Sequence, residues 1–200
     1  NEAFNYLAAG ESLVLTYTVT ATDDDGTPLS DTETITITIT GSNDAPVISN
    51  GPDAENLTEG NTGLSTAGNL TVSDVDTSDV VTAARTLLVS GSSDRTDPAA
   101  PNDASLLAMF SVSPTTVLDS TQNSATLNWA FDSASQAFDY LAEGQTLVLT
   151  YTVTATDDNG TALADSETVT LTITGSNDAP IITLLSQDRD SAALTEANTA

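Results

Sequence analysis

The sequence predicts an all-β protein made of tandem antiparallel β-sandwich repeats, and three observations lead to that prediction. One stretch occurs twice, at residues 4–48 and 138–182, and the two copies align at a constant offset of 134 residues. Within each copy apolar residues alternate with Thr, which is typical of half-buried strands. Turn signals separate many short strand patterns, and no long helix is predicted. The 200-residue chain is therefore interpreted as part of a repeat array rather than as one domain.

Two linkers set the predicted repeat boundaries. The sequence GSNDAP stands at residues 41–46 and again at 175–180, where Gly weakens a strand and Pro cannot donate a ladder hydrogen bond. The motif Leu-Thr-Glu occurs at residues 57–59 and recurs at 194–196. We therefore expect the C-terminal strands of a preceding repeat at 1–42, a linker at 43–46, a complete repeat at 47–176, a second linker at 177–180 and the start of the next repeat at 181–200.

The first copy of the repeated stretch is predicted as a β-hairpin. Residues 1–11 suggest a short turn of helix or an irregular corner. Residues 13–20 alternate with period two, Asp25-Gly26 is a strong hairpin signal because both residues tolerate positive φ, and residues 33–40 form the return strand. Because the rest of its sandwich is not included in residues 1–40, we expect this hairpin to be mobile, to pack on a neighbour or to pair with another chain.

The complete repeat is predicted as further short strands joined by loops. Residues 106–112 fit either a short helix or a strand, since periodicity does not separate the two. Leu127, Trp129 and Phe131 share one face of a strand over 126–131, and a core position for the Trp is favoured over a sugar-binding platform. The other elements are expected as a loop over 51–68, a short strand around 70–72, a strand over 80–90 and a loop over 91–104.

The chain is strongly acidic. It carries 29 acidic residues against 3 basic ones, for a net charge of −26. Such a charge repels nucleic acid and anionic membranes, and no apolar run approaches the roughly 20 residues of a membrane span. The carboxylates also repel one another, and a divalent cation would offset that repulsion. A solvated acidic surface that keeps the protein soluble is the alternative.

The residue types exclude several kinds of site. The sequence has no Cys, no His and no Lys, and its cations are Arg85, Arg95 and Arg189. Zinc, copper and haem are therefore poor candidates, and no His, Cys or Lys is available for nucleophilic catalysis. Since Asp and Glu fall in linkers and turns rather than in a pocket-like pattern, the chain is not predicted to be an enzyme.

Several of these motifs together resemble VCBS repeats, the cadherin-like domains found in long arrays in bacterial RTX-type adhesins. The motifs are GSNDAPVI at 41–48, GSNDAPII at 175–182, LTYTVTATDDDGT in the first copy and the Asp-Val-Asp of 74–76. The resemblance covers essentially the whole chain. It implies tandem Ig-like, cadherin-like sandwiches, calcium binding, and an extracellular or bacterial cell-surface location reached by type I secretion. No glycine-rich nonapeptide calcium repeat occurs in the sequence, so the secretion route rests on the resemblance alone.

The resemblance also implies where calcium would bind, because in cadherin-like domains the ion sits between successive sandwiches. The linker would supply Asn43 and Asp44, and a loop of the following domain would supply Asp74, Asp76 and Asp79. Carboxylate and amide oxygens are the ligands that calcium prefers. Asp74 and Asp76 lie two residues apart, so an extended segment would point both side chains to one side.

Chain direction adds Asp157 and Asp158 to the same junction. If the second copy forms the last two strands of its sandwich, its hairpin tip lies opposite the outgoing linker and beside Asp74 and Asp76. Turn chemistry alone is the open alternative for this Asp-Asp-Asn-Gly tip, and an Asx-type turn is the alternative for the Asn-Asp-Ala-Pro linker.

A second candidate site is predicted at the outgoing end of the complete repeat. Glu59 sits in an early loop that should lie there, so we pair it with Asn177 and Asp178. The chain ends before another Asp-x-Asp loop, so this site is expected to bind calcium weakly or not at all.

The predicted function is a calcium-rigidified structural extender of a large secreted or cell-surface bacterial adhesin, serving adhesion and biofilm formation. Its partners would be the neighbouring repeats of the same chain, and self-association of the array stays open. Nucleic-acid binding and direct membrane insertion are not expected. The alternative is a glycan- or protein-binding module of the same adhesin that holds its ligand through loops such as residues 91–104.

Overall fold

The computed structural model describes residues 2–183, and these residues form an almost entirely β structure, as the sequence predicts. A 3₁₀ turn at Glu2–Phe4 opens the described chain, and one short helix, α1, spans Asp103–Ala108. The strands are β1 Ser12–Thr22, β2 Ser30–Thr40, β3 Val47–Ser49, β4 Asp53–Thr58, β5 Ser65–Ser73, β6 Val81–Gly91, β7 Phe110–Ser113, β8 Thr116–Leu118, β9 Ser124–Asp132, β10 Thr146–Thr156 and β11 Ala164–Thr174.

Strands β3 to β11 form a two-sheet sandwich. One sheet has the strand order β4-β11-β10-β6-β8, and the other has the order β3-β5-β9-β7. The pairings are antiparallel except at the edge of the larger sheet, where β4 runs parallel to β11. The predicted antiparallel β-sandwich is therefore confirmed, with this parallel edge pair as an addition to it.

The core lies between the two sheets and follows from the period-two alternation of their strands. Every second residue is buried along β10 and from Val169 to Ile173 in β11, whereas the intervening Thr residues are partly exposed. Phe110 stacks on Tyr151 with ring centroids 4.1 Å apart and lies 5.8 Å from Trp129. Trp129 is 2% exposed and donates its Nε1–H to Oδ2 of Asp53 at 2.6 Å. The core position favoured for this Trp is therefore confirmed.

Strands β1 and β2 form a separate two-stranded sheet. They pair over eleven residues each, from Ser12 opposite Thr40 to Thr22 opposite Ser30. β10 and β11 pair in the equivalent register, from Thr146 opposite Thr174 to Thr156 opposite Ala164. The hairpin prediction for the first copy is thus confirmed, and both faces of this sheet are largely exposed.

Two local predictions need correction, and one open alternative is resolved. Residues 51–68 were expected as loop, but β4 occupies Asp53–Thr58 because it adds in parallel to β11, and β5 already begins at Ser65. The turn at Asp25-Gly26 lies within a longer connection closed by an Asp23 N–H bond to the Leu29 carbonyl at 3.1 Å. Residues 106–112 contain both alternatives, since α1 is followed directly by β7.

The described residues end before the motif at 194–196, which lies outside them together with most of the expected segment 181–200. No helix between residues 2 and 183 is long and apolar enough to cross a membrane. The repeat boundaries stay a prediction, although the two-sheet sandwich falls within the segment expected as the complete repeat.

Candidate metal centre

One end of the sandwich gathers acidic side chains from three separate parts of the chain. These parts are the linker after β2, the loop that joins β5 to β6, and the tip of the β10–β11 hairpin. The start of β6, which follows the β5–β6 loop, lies beside the hairpin tip because β6 and β10 are antiparallel neighbours, with Thr82 opposite Thr156. The fold therefore brings together residues that lie more than 100 positions apart in the sequence.

The β5–β6 loop supplies three buried carboxylates. Asp74 is 4% exposed, and Asp76 and Asp79 are each 2% exposed. Their local geometry is a turn rather than the extended segment that was expected, because the Asp76 N–H donates to Oδ1 of Asp74 at 3.0 Å and the Asp79 N–H donates to the Asp76 carbonyl at 3.2 Å. A turn, and not strand alternation, therefore positions Asp74 and Asp76.

The hairpin tip places Asp157 beside this loop. Asp157 is 4% exposed, and its carboxylate accepts the Leu163 N–H at 3.1 Å, which closes the tip. Asp158 is exposed and accepts the Val80 N–H at 2.9 Å. Asn159 donates its Nδ2–H to Oδ1 of Asp79 at 2.7 Å. The tip residues thus form both turn bonds and bonds to the β5–β6 loop, so turn chemistry is part of their role.

The linker joins the same cluster. Asn43 donates its Nδ2–H to Oδ2 of Asp157 at 3.1 Å and to the Thr161 carbonyl at 3.3 Å. The Asp44 N–H donates to Oδ2 of Asp76 at 2.7 Å. Both linker residues are half-buried. The structure therefore brings the linker, the loop and the hairpin tip together at the junction, as the sequence predicts, while metal binding there stays a prediction.

The carboxylates approach closely enough to share one cation. One oxygen each of Asp74, Asp79 and Asp157 lies within 4.8 Å of the others. Four buried oxygens around them have no hydrogen-bond partner within residues 2–183: Oδ1 of Asn43, Oδ2 of Asp74, Oδ1 of Asp76 and Oδ2 of Asp79. Buried acceptors without partners are rare because they lose their hydration without compensation. A bound cation would compensate the oxygens that coordinate it.

Burial makes the ionised cluster costly. Burial, together with the negative charges of Asp76, Asp79 and Asp157, raises the pKa of Asp74 from the ordinary 3.8 to about 6. Burial also raises the pKa of Asp76 and of Asp79, and neighbouring carboxylates add to both shifts. Hydrogen bonds from backbone and side-chain N–H groups offset these effects only in part. Buried like charges with unsatisfied oxygens are the environment in which a divalent cation stabilises a fold.

The donor set fits calcium. It consists only of carboxylate, amide and carbonyl oxygens, and calcium accepts about six to eight such ligands in a flexible geometry. Asn43, Asp74, Asp76, Asp79 and Asp157 would hold the ion, and it would supply positive charge that the described residues do not provide at this junction. Magnesium demands a stricter octahedral shell and keeps its water, so it suits a dry multidentate cluster less well.

Sequence reasoning missed Glu11 at this junction. Its negative charge is one of those that raise the pKa of Asp79, and Ala9 lies near Gly160 at the hairpin tip. The equivalent residue in the second copy is Gln145. This exchange is no signal by itself, because the copies also differ in the opposite sense, with Glu143 equivalent to Ala9, and the contribution of Glu11 follows from the three-dimensional arrangement.

The outgoing end holds Glu59 as predicted, but it does not join the predicted partners by hydrogen bonds. Glu59 is 3% exposed, its Oε1 accepts from N–H and Oγ–H of Ser176 at 2.6 and 2.8 Å, and its Oε2 has no partner in the part of the chain that the structure describes. Asn177 and Asp178 are exposed. A shallow cleft there is lined by acidic and amide side chains, including Asp139, Glu143, Asn177 and Asp178.

The loop proposed for the alternative function borders a wide groove. The groove lies between the end of β6 and residues 92–104, has a volume of about 850 Å³, and is lined by Val89, Arg95 and Asn102 among others. Arg95 is paired with the exposed Asp103 at 2.7 Å across it. The groove contains no aromatic side chain among its lining residues, so it offers no stacking platform for a sugar ring.

Comparison with known proteins yields structural likenesses at low identity. The extracellular domain of protocadherin GammaB4 is 18% identical, with 80% of this chain and 22% of that chain covered and a TM-score of 0.44. EC21-23 of human CDH23 is 19% identical, with 79% and 43% covered and a TM-score of 0.43. The chain thus spans less than half the length of either protein.

A PapD-like domain of human CEP192 is 11% identical, with 67% of this chain and 87% of that domain covered and a TM-score of 0.37. No protein-family model matches the chain, and no curated protein matches it. The geometry of the acidic junction, rather than these likenesses, carries the functional proposal.

Proposed function

We propose that this chain is a calcium-rigidified extender of a cell-surface adhesin. The single observation that carries the proposal is the junction cluster, in which Asp74, Asp79 and Asp157 are buried within 4.8 Å of one another beside oxygens that lack hydrogen-bond partners. Three chain segments contribute to this cluster, and one of them is the linker. A cation bound there would therefore connect the linker to the sandwich.

The mechanism is electrostatic. Without metal, the buried carboxylates repel one another, and the linker is held by few hydrogen bonds, among them the 2.7 Å bond from Asp44 to Asp76. With calcium, the ion attracts all the carboxylates at once and ties Asn43 to Asp157 and the β5–β6 loop. Extracellular calcium modules bind at about 10⁻⁴ to 10⁻³ M, which matches the calcium level outside cells rather than inside them.

The adhesin context and the bacterial surface location belong to the proposal through the VCBS-like motifs. The motifs GSNDAPVI and GSNDAPII flank the sandwich at the two linkers. Secretion by the type I route is proposed on the same resemblance.

Thermal unfolding with calcium, with magnesium and with a chelator tests the proposal. Calcium at 100 times its dissociation constant would add about 2.7 kcal/mol, which corresponds to a rise in Tm of about 5–10 °C for a chain of this size. The variant Asp74→Asn/Asp79→Asn should lose the rise. The variant Asp94→Asn/Asp97→Asn, which removes the same charge from an exposed loop, should keep it.

Two outcomes would contradict the proposal. Identical unfolding curves in calcium and chelator would leave the acidic residues as a solubility coat. An equal calcium response in both variants would show that the response comes from general screening and not from the junction.

A further inference from the structure

One edge of strand β6 is open over most of its length. Strand β8 pairs with that edge only at Val81 and Thr82, and the next bond on that side runs from the Ala83 N–H to the Thr115 carbonyl at 2.8 Å. The other edge of β6 pairs with β10 up to the end of the strand. The segment 84–91 is therefore a strand with one occupied edge and one open edge.

The alternation of the backbone shows which groups the open edge presents. Successive residues of a paired strand direct their N–H and C=O groups to opposite edges. Because the Ala83 N–H faces β8, the N–H and C=O groups of Arg85, Leu87 and Val89 face the same open edge. No hydrogen bond between residues 2 and 183 uses these groups. The edge therefore presents donors and acceptors at the spacing of an extended chain.

A groove and apolar side chains border this edge. The groove of about 850 Å³ lies between the end of β6 and residues 92–104, and Val89 and the two residues after it line its strand side. Leu87 and Val89 are half-buried at the rim of the core, and Leu88 on the other face of the sheet is 67% exposed. A strand added here would cover apolar surface on both faces.

The wall of the groove supplies positive charge. Nη2 of Arg95 donates to Asp103 at 2.7 Å, whereas its buried Nη1 has no acceptor within residues 2–183. Arg85 and Arg95 are the two cations of the described residues, and both lie beside this edge. A carboxylate on an occupant of the groove would bond a guanidinium that is paired on one side only.

We propose that the open edge of β6 binds an extended peptide of a partner protein by β-strand addition. The peptide runs antiparallel to β6, which is the more stable pairing. Its apolar side chains lie opposite Leu87 and Val89, and a carboxylate near its N-terminal end reaches Arg95, which follows β6. Main-chain bonds supply the affinity, and the groove selects side chains. Loop 91–104 then forms the wall of the site, and the strand edge supplies the bonds.

A second copy of this chain fits the edge less well. Pairing two sandwiches edge to edge brings together two chains that each carry a net charge of −26, and these repel one another. The wall formed by residues 92–104 also stands beside the edge. A single peptide needs only the width of one strand, about 4.8 Å. The observations therefore favour a peptide as the occupant.

An NMR titration of the full chain with a blocked peptide tests the proposal. The probe is acetyl-Glu-Thr-Val-Thr-Val-Ser-amide. It is added in chelator, because Gly91 lies opposite Leu147 at the end of β6 remote from the acidic junction, so that binding does not depend on calcium. We expect saturable binding, with the largest shifts at the amides of Arg85, Leu87 and Val89.

Methylated peptides provide the matched control and need no change to the protein. Methylation of both Val amide nitrogens removes two edge bonds and should weaken binding at least about tenfold. Methylation of both Thr amide nitrogens, which face solvent in the bound peptide, should change the affinity by less than about threefold. Equal weakening by the two patterns would overturn the proposal, and so would the absence of saturable binding.

Two variants locate the site. Val89→Pro removes an N–H that makes no ladder bond to β10 and should weaken the peptide at least about tenfold, while unshifted β10 amides report an intact fold. Arg95→Gln should weaken this peptide and leave the affinity of its analogue with Gln in place of Glu unchanged. Shifts confined to β1 and β2 would overturn the proposal. A dimer that protects the amides of β6 would also overturn it, because a second copy would then be the occupant.

Discussion

At the scale of single residues, the junction carboxylates are expected to stabilise the fold when metal is bound and to destabilise it when metal is absent. Asp74 is buried, carries a raised pKa and has an oxygen without a partner. Such a group destabilises the metal-free fold when ionised and binds a cation well for the same reason. The destabilisation of the metal-free fold and the affinity for a cation therefore have the same structural cause.

The raised pKa of Asp74 predicts the pH dependence of the metal-free protein. The folded state takes up a proton near pH 6, whereas the unfolded chain takes it up near 3.8, so the folded state binds more protons between these values and stability falls as pH rises through this window. Asp76 and Asp79 shift in the same direction. In chelator we expect a higher Tm at pH 5 than at pH 7.5, measured by circular dichroism.

The variant Asp74→Asn provides the control for that pH dependence. It should flatten the difference between pH 5 and pH 7.5, because the largest titrating contribution is removed. A metal-free Tm that is constant or rises over this range in the unmodified chain would contradict the buried, ionised cluster.

Tyr151 and Tyr17 offer a matched pair for testing the core. Tyr151 is fully buried, and its hydroxyl donates to the Leu106 carbonyl at 2.8 Å, whereas Tyr17 is 51% exposed in the equivalent position. Tyr151→Phe removes this bond and leaves the Leu106 carbonyl with the Met109 N–H at 3.3 Å, so it should lower the free energy of unfolding by about 0.5–1.5 kcal/mol. Tyr17→Phe should change it by less than about 0.5 kcal/mol. Urea unfolding measures both, and equal effects would contradict the assigned burial.

At the scale of elements, the two hairpins share a sequence and differ in surroundings. The tip of the first contains Asp23, Asp24 and Asp25, and the tip of the second contains Asp157, Asp158 and Asn159. Only the second tip meets a linker and a β5–β6 loop in the described residues. The two tips therefore differ mainly in their surroundings. Comparing substitutions in the two tips separates a role in the turn from a role in metal binding.

Removing both tip charges tests that separation. Asp157→Asn/Asp158→Asn should weaken calcium binding by at least about tenfold, since carboxylate count sets calcium affinity, while Asp23→Asn/Asp24→Asn should leave it unchanged. Calorimetric titration of calcium into the full chain measures both. If the two variants bind calcium alike, the tip acts only as a turn.

The elements also show why parts of the fold could be predicted and others could not. The long strands β1, β2, β10 and β11 carry Thr at most alternate positions, which is a local property of the sequence. Strand β4 has no such pattern and forms because β11 offers it a parallel edge, which is a tertiary effect. The turn at Asp74–Asp79 depends on a side-chain to backbone bond, and such competition with extended structure is invisible to periodicity.

At the scale of the whole molecule, the net charge of −26 affects stability differently at exposed and at buried carboxylates. Most carboxylates lie in loops and on exposed faces, where solvent and salt screen them. The carboxylates at the junction are buried. Their proximity could be predicted from the repeat, because strand direction decides which loops lie at the same end of the sandwich. The buried oxygens without hydrogen-bond partners and the contribution of Glu11 could be identified only from the three-dimensional structure.

Heteronuclear NMR during a calcium titration of the full chain tests the central claim most directly, because it reports the place of binding and the motion of the linker together. We predict that calcium shifts the amide resonances of Asp44, Asp76 and Val80, which donate to carboxylates of the cluster. The heteronuclear NOE of the linker residues 43–45 should rise to the values of β10. Small shifts spread over all acidic residues, including the tip at 23–25, with an unchanged linker NOE would contradict a calcium-locked junction.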